Sequence, residues 1–215
     1  CNLTEVVVRE SDDLDSLKRK VRLATILGTV QSTFTKMPYL RKIWHKNTEE
    51  ERLLGVSLTG IMDNRLLSKA IDSPRWLNEM KQEAINTNAK YAEKLGIQVS
   101  TAITCVKPSG TVSQLVDSAS GIHARHSEYY IRTVRGDNKD PLTQFMIDAG
   151  IPAEPCVMKP DSTTVFSFPM RSPVGAITRN DMTALEQLTL WKNYALAWCE
   201  HKPSVTITVR DAEWM

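Results

Sequence analysis

Five strand-like runs alternate with amphipathic helical stretches along this chain, and that alternation predicts an α/β fold with a parallel sheet. Parallel strands need a crossover of a dozen residues or more, which the helical stretches supply. At 215 residues and 41% apolar content the chain can bury a core. No glycine fingerprint of the G-x-G-x-x-G type follows any strand, which lowers the dinucleotide-binding option. An open doubly wound sheet and part of a barrel both fit the pattern.

The first strand is Leu3–Arg9, rich in β-branched residues. Ser11, Asp12 and Asp13 then offer a helix cap, and Leu14, Leu17, Val21, Ala24 and Leu27 recur at helical spacing. Gly55–Thr59 is the second strand. Ser73 and Pro74 start a helix whose stripe runs through Leu77, Met80, Ala84, Tyr91 and Leu95 to a stop at Gly96. Val99–Val106 is the third strand and runs into the turn-forming segment Lys107–Thr111.

Beyond Gly121, the excursion from His123 to Arg135 contains Tyr129–Arg135, an extra strand or ribbon. Asp140 and Pro141 begin a short helix, with Leu142, Phe145 and Met146 expected to face inward and Gly150 as its stop. Thr163–Phe168 is expected as the fourth main strand. A helix within Asp181–Glu200 carries a stripe of Leu185, Leu188, Trp191, Ala195 and Trp198, and Val205–Val209 is the fifth strand.

Composition excludes little. Lysine and arginine total 27 against 25 acidic residues, a net charge of +2, so neither nucleic acid nor a membrane is expected as a partner. No apolar run reaches the ~20 residues of a membrane helix, and no secretory leader is visible, so the expected location is cytoplasmic. Cys1, Cys105, Cys156 and Cys199 are widely spaced and suggest packed thiols, not a disulfide framework. The chain opens on Cys1 and closes directly after a strand-like run, so both termini read as cut. A split gene, intein splicing or cropping would each leave this Cys1.

One segment points to anion chemistry. Pro108, Ser109, Gly110, Thr111, Val112 and Ser113 follow a strand and open a helix, where backbone N–H groups and hydroxyls converge and glycine permits close approach. A phosphate would be held there, although any strand-to-helix turn looks similar. His123, Arg125, His126 and Arg132, beside Tyr129 and Tyr130, form a basic cluster that reads mainly as a solvated loop. Asp63, Asp117 and Glu128 are candidate acids or bases that no spacing promotes. Cys199 and His201 lack a second ligand pair, so no metal site is expected.

Five blocks in order carry a resemblance: Cys1–Val6, Glu51–Gly60, Val106–Ser113, Gly121–Arg125 with Tyr129–Arg132, and Pro203–Ile207. Together they resemble the adenosylcobalamin-dependent (class II) ribonucleotide reductases, nearest the monomeric ribonucleoside-triphosphate-reducing branch. The resemblance implies a ten-stranded α/β barrel, with residues 1–215 as its second five-stranded parallel half. It further implies that Cys1 is one of the redox cysteine pair and that Pro108 to Ser113 hold the substrate phosphates. Adenosylcobalamin, a ribonucleotide substrate, the missing N-terminal half of the reductase and a thioredoxin-type dithiol reductant are the implied cofactor and partners. The other readings are a non-catalytic nucleotide-phosphate binding module and a barrel of the glycyl-radical type.

Overall fold

In the computed structural model, which describes residues 1–69, 71 and 73–214, the chain divides into two compact units. The larger comprises Cys1–Arg125 and Val174–Met215, and the smaller comprises His126–Pro173.

The larger unit is built on a parallel sheet in the order β1-β2-β3, formed by β1 (Asn2–Val7), β2 (Leu54–Thr59) and β3 (Thr104–Cys105). Glu5 pairs with Ser57, which in turn pairs with Cys105. Strand alternation then gives the sheet two distinct faces. Val6, Val8, Leu54, Val56 and Leu58 are fully or almost fully buried and join one core with Leu17, Val21, Leu77, Met80, Leu190, Tyr194 and Trp198 of the helices. Leu3, Glu5, Gly55, Ser57 and Cys105 share the opposite side.

The helices on the core face are α1 (Leu14–Gln31), α3 (Ser73–Leu95) and α6 (Ala184–Ala197). Asp13 caps α1, its carboxylate accepting from the Ser16 N–H while Ser16 Oγ accepts from the Asp13 N–H. Thr183 and Glu186 form the same reciprocal arrangement on α6. The buried stripe of α6 differs from the expected one. Gln187, Leu190, Tyr194, Ala197 and Trp198 are buried, whereas Leu185 is 74% exposed. Polar anchors set this rotation: Tyr194 Oη donates to the Leu67 carbonyl at 3.0 Å, and Trp198 Nε1 to the Cys105 carbonyl at 2.7 Å. Leu27 of α1 is likewise exposed. A further helix, α2 (Lys42–Glu51), escaped expectation because it buries none of its residues and so carries no apolar period.

Two of the five expected parallel strands are not parallel strands of this sheet. Thr163–Phe168 lies in β6 (Thr163–Arg171), the middle of an antiparallel sheet in the smaller unit, between β4 (Tyr129–Asp137) and β5 (Ala153–Pro155). Most of its residues are only half-buried, unlike a parallel strand covered on both faces. Val205–Val209 forms no strand, although the chain just before it runs beside β3, with the Glu200 N–H donating to the Thr104 carbonyl and the Ser204 N–H to that of Val106. The third strand is also shorter than Val99–Val106. The expected five-stranded parallel half is therefore an α/β unit with three parallel strands plus a separate antiparallel ribbon.

In that smaller unit α5 (Pro141–Asp148) begins at the Asp140 cap, as expected, and Gly150 ends it at φ +76°. Its apolar side points the other way: Leu142 and Phe145 are exposed while Thr143 is buried. Among the described residues, no helix is long and apolar enough to cross a membrane.

Candidate functional site

The face of the sheet away from the helices opens onto a cavity of about 590 Å³, lined by Leu3, Glu5, Ser57 and the segment from Lys107 to Val112. The volume lies within the range of small-ligand pockets. Two close approaches hold the start of the segment at Lys107. The Lys107 N–H donates to Ser57 Oγ at 3.0 Å, and a Cβ placed on Gly121 would stand 2.7 Å from the Lys107 carbonyl oxygen. Gly121 also has φ +54°, so only glycine fits there without strain.

Within the segment, the N–H groups of Gly110, Thr111 and Val112 make no hydrogen bond to any described residue. Open space surrounds the position a Gly110 Cβ would take. The helix that follows, α4 (Val112–Leu115), is a single turn, so the loop amides themselves are what the segment offers an anion. The hydroxyls are less available than their number suggests. Ser113 Oγ bonds the Ser109 carbonyl, and the Ser113 N–H donates to Ser109 Oγ at 3.1 Å. Ser109 Oγ in turn donates to Glu5 Oε2 at 2.8 Å. Thr111 is exposed.

Glu5 is the residue that sequence reasoning missed. It is half-buried on β1, and burial pushes its carboxyl above the ordinary value, while the Ser109 hydrogen bond pulls in the opposite direction. Cys105, two residues before Lys107, is buried on the same face, and burial pushes its thiol up to about 11. Cys1 is exposed. It shares the alternation of Leu3 and Glu5 but does not line the cavity, lying about 13 Å from Glu5 at the usual strand rise.

Several of the remaining candidates have structural partners. Arg125 is buried, not solvated: its Nε and Nη2 donate to the two carboxylate oxygens of Asp63, each at 2.9 Å, and its Nη1 donates to Asp117 Oδ1 at 3.0 Å. Asp63 and Asp117 are thus ion-pair partners. His123 Nε2 accepts from the Thr206 N–H at 3.0 Å, and His201 Nε2 stands 2.7 Å from the Leu54 carbonyl oxygen. Burial pushes Cys199 up to about 12. Cys156 is buried in the smaller unit, and its thiol is held below the ordinary value by the backbone N–H groups of Met158 and Lys159 and by Arg135. His126 stands in tilted ring contact with Tyr130 at 5.8 Å, and Arg132 lies in β4. No cluster of metal-ligating side chains occurs among the described residues.

No family model matches the chain. Curated relatives do. An adenosylcobalamin-dependent ribonucleoside-triphosphate reductase of Euglena gracilis is 31% identical over 214 residues, covering 97% of this chain and 28% of the relative. The enzyme of the same description from Lactobacillus delbrueckii subsp. bulgaricus is 27% identical, covering 99% of this chain and 32% of the relative. Among solved structures, a B12-dependent (class II) ribonucleotide reductase superposes with a TM-score of 0.81 over 99% of this chain and 33% of that one, at 22% identity. That likeness speaks to the fold. The chain spans about a third or less of the relatives it matches.

Proposed function

From the premise that this chain belongs to the adenosylcobalamin-dependent ribonucleoside-triphosphate reductases, we propose that it is a C-terminal catalytic segment supplying a redox thiol and the substrate phosphate loop. The observation that carries this reading is the row of unpaired amides, Gly110 to Val112, on a cavity beside an open glycine. Unpaired N–H groups on an open cavity are the elementary requirement of a phosphate cradle. Pro108, Ser109, Gly110, Thr111, Val112 and Ser113 form that loop, with the amides as primary donors and the exposed Thr111 hydroxyl as an auxiliary one. A ribonucleoside triphosphate is the proposed substrate.

In the same reading the β1-β2-β3 sheet belongs to the second half of the family's barrel, and residues 1–215 need the N-terminal half to complete it. The run from Glu200 to Ser204, which donates the Glu200 and Ser204 N–H groups to the Thr104 and Val106 carbonyls along the β3 edge, supports this arrangement. Cys1 acts on the cavity's side of the sheet. Two thiols, Cys1 and one from the missing half, give two electrons and two protons and become a disulfide; the ribose loses its 2′ hydroxyl as water and gains a hydrogen there. A dithiol protein of the thioredoxin type then reduces the pair. The hydroxyls of Ser57, Ser109 and Thr111, the Glu5 carboxyl and the Lys107 ammonium around a cavity of this size suit a nucleotide and not a corrin ring. Adenosylcobalamin is accordingly proposed for the complete enzyme, where it would supply the initiating radical from a site other than this cavity.

The test is nucleotide affinity and dithiol-driven deoxynucleotide formation in the complete enzyme. Gly110→Val should abolish nucleotide binding while leaving the fold intact, because its side chain enters open space. Thr111→Ala should cost about 1.5–3 kcal/mol of binding, one hydrogen bond to a charged group. Cys1→Ser should stop dithiol-driven turnover. Unchanged nucleotide binding in Gly110→Val would end the phosphate-loop reading, and full turnover in Cys1→Ser would end the redox assignment.

A further inference from the structure

We propose that Glu5 is a positioning residue that gates the phosphate loop by the direction of its hydrogen bond with Ser109, so that the loop takes up a proton when it takes up a phosphate. The inference rests on the phosphate reading of this loop. It starts from hydroxyl arithmetic: a serine has one proton to donate and two lone pairs. Ser109 Oγ already accepts from the Ser113 N–H, and it gives its proton to Glu5 Oε2. While Glu5 is ionised, Ser109 therefore has no proton left for a ligand, and a carboxylate charge lies on the lining of the same cavity.

One proton from solvent reverses both conditions. The neutral Glu5 carboxyl donates its O–H to Ser109 Oγ, which keeps its bond from Ser113 and fills its second lone pair. The Ser109 hydroxyl then turns its own proton to a phosphate oxygen. The loop gains a donor and loses a like charge in a single step, and every polar group remains satisfied. Burial raises the Glu5 carboxyl above its ordinary value, and the Ser109 hydrogen bond opposes that shift. Its charged and titratable surroundings are Cys105 and Lys107 beyond Ser57, Cys1 along its own strand, and Arg9 and Lys20 around the adjoining cleft at the β1 edge. Lys20 is engaged by the Val7 carbonyl and by Asp12. Lys107 is the cation nearest the proposed phosphate along the chain.

Calorimetric titration of CTP into the complete enzyme, between pH 5 and 8.5 and in two buffers of different ionisation enthalpy, decides the matter. Wild type should take up as much as one proton per CTP beyond the nucleotide's own titration. Its affinity should fall by up to tenfold per pH unit above the free-state value of Glu5. Glu5→Gln keeps a neutral donor to Ser109, so it should bind CTP several-fold more tightly than wild type at pH 8, converge with it at pH 5, and show no extra proton. Equal or weaker binding by Glu5→Gln at pH 8, with CTP binding still lost in Gly110→Val, would overturn the gate and leave the phosphate loop standing. CTP binding that survives Gly110→Val would remove the loop reading, and the gate with it.

Discussion

Replacing Arg125 by alanine tests the contact that ties Asp63 to the loop from Asp117 to Arg125. Asp63 and Arg125 are 2% and 4% exposed, and they meet through two parallel bonds of 2.9 Å. Asp63 Oδ2 also accepts from the Ala119 N–H at 2.8 Å. The bond to Asp117 is the weaker arm, because that side chain is 61% exposed and water screens it. Removing the guanidinium leaves the Asp63 carboxylate buried with the Ala119 amide as its chief remaining donor. Breaking a buried pair in this way costs about 3–5 kcal/mol, a large share of the ~5–15 kcal/mol that stabilises an ordinary domain. Arg125→Lys should cost less but still register, since an ammonium cannot make both parallel bonds. Urea unfolding of the three proteins, analysed with a common slope, measures the losses. The Asp63→Ala, Arg125→Ala double-variant cycle isolates the coupling. High salt should leave the Arg125→Ala loss almost unchanged, because the pair is out of reach of the ionic atmosphere. A loss below 1 kcal/mol, or a coupling near zero, would refute the view of Arg125 as the anchor.

Alkaline stability should follow the buried thiols. Cys105 and Cys199 are raised from about 9 to about 11 and 12, so their contribution is complete below pH 9 and is lost as the pH climbs through about 11 for Cys105 and about 12 for Cys199. For Cys105 alone this is about 2–3 kcal/mol, and melting curves between pH 8 and 11 should show a shallower decline in Cys105→Ala than in wild type. Iodoacetamide at pH 8 should label the exposed Cys1 first, with Cys105 and Cys199 protected until the chain unfolds; peptide mapping that finds Cys199 modified early would contradict the burial. Gly60→Ala should destabilise by 2 kcal/mol or more, by the ~1–2 kcal/mol of a left-handed residue plus a clash. Gly60 has φ +81°, and its Cβ would lie 2.3 Å from the Val8 carbonyl oxygen, so an unchanged urea midpoint would refute that geometry.

What could be read in advance depended on the range of the interactions. β1 and β2, the α1 start at Asp13 and the Asp140 cap all follow from residues within a few positions of one another. The turn chemistry of Lys107–Thr111 is local too, and it located the cavity's rim. Strand direction is not local. Thr163–Phe168 has the composition of a strand, and a period of two is the same for parallel and antiparallel pairing. Pro169 was a usable hint, since proline lacks a ladder donor; it pairs with Ile131 on one side, beyond the stretch that β5 covers. Glu5 meets Ser109 across 104 residues and Asp63 meets Arg125 across 62, so neither pairing left a spacing to detect. Without its partners, Arg125 could be judged only by composition, and composition places arginine in solvent.

The sheet's two faces obey different requirements, and that difference bears on function. On the helix face Val6, Val8, Leu54, Val56 and Leu58 fill space against α1, α3 and α6, so large apolar side chains are what the position demands. On the cavity face the same strands carry Glu5, Gly55, Ser57 and Cys105. A carboxyl and a hydroxyl there gain nothing from packing, and Gly55 is the exception that shows why the face is crowded: a Cβ on it would come within 2.4 Å of Leu3 Cδ2 and 3.4 Å of Cys105 Sγ. Space on that face is kept small in the middle row and polar toward the loop. A fold needing only stability would fill this side with valine and isoleucine, as parallel strands covered on both faces do. The polar row from Glu5 through Ser57 to the loop amides is therefore better explained by what it must hold than by what it must bury. The phosphate and the proton are the two candidates that its chemistry fits.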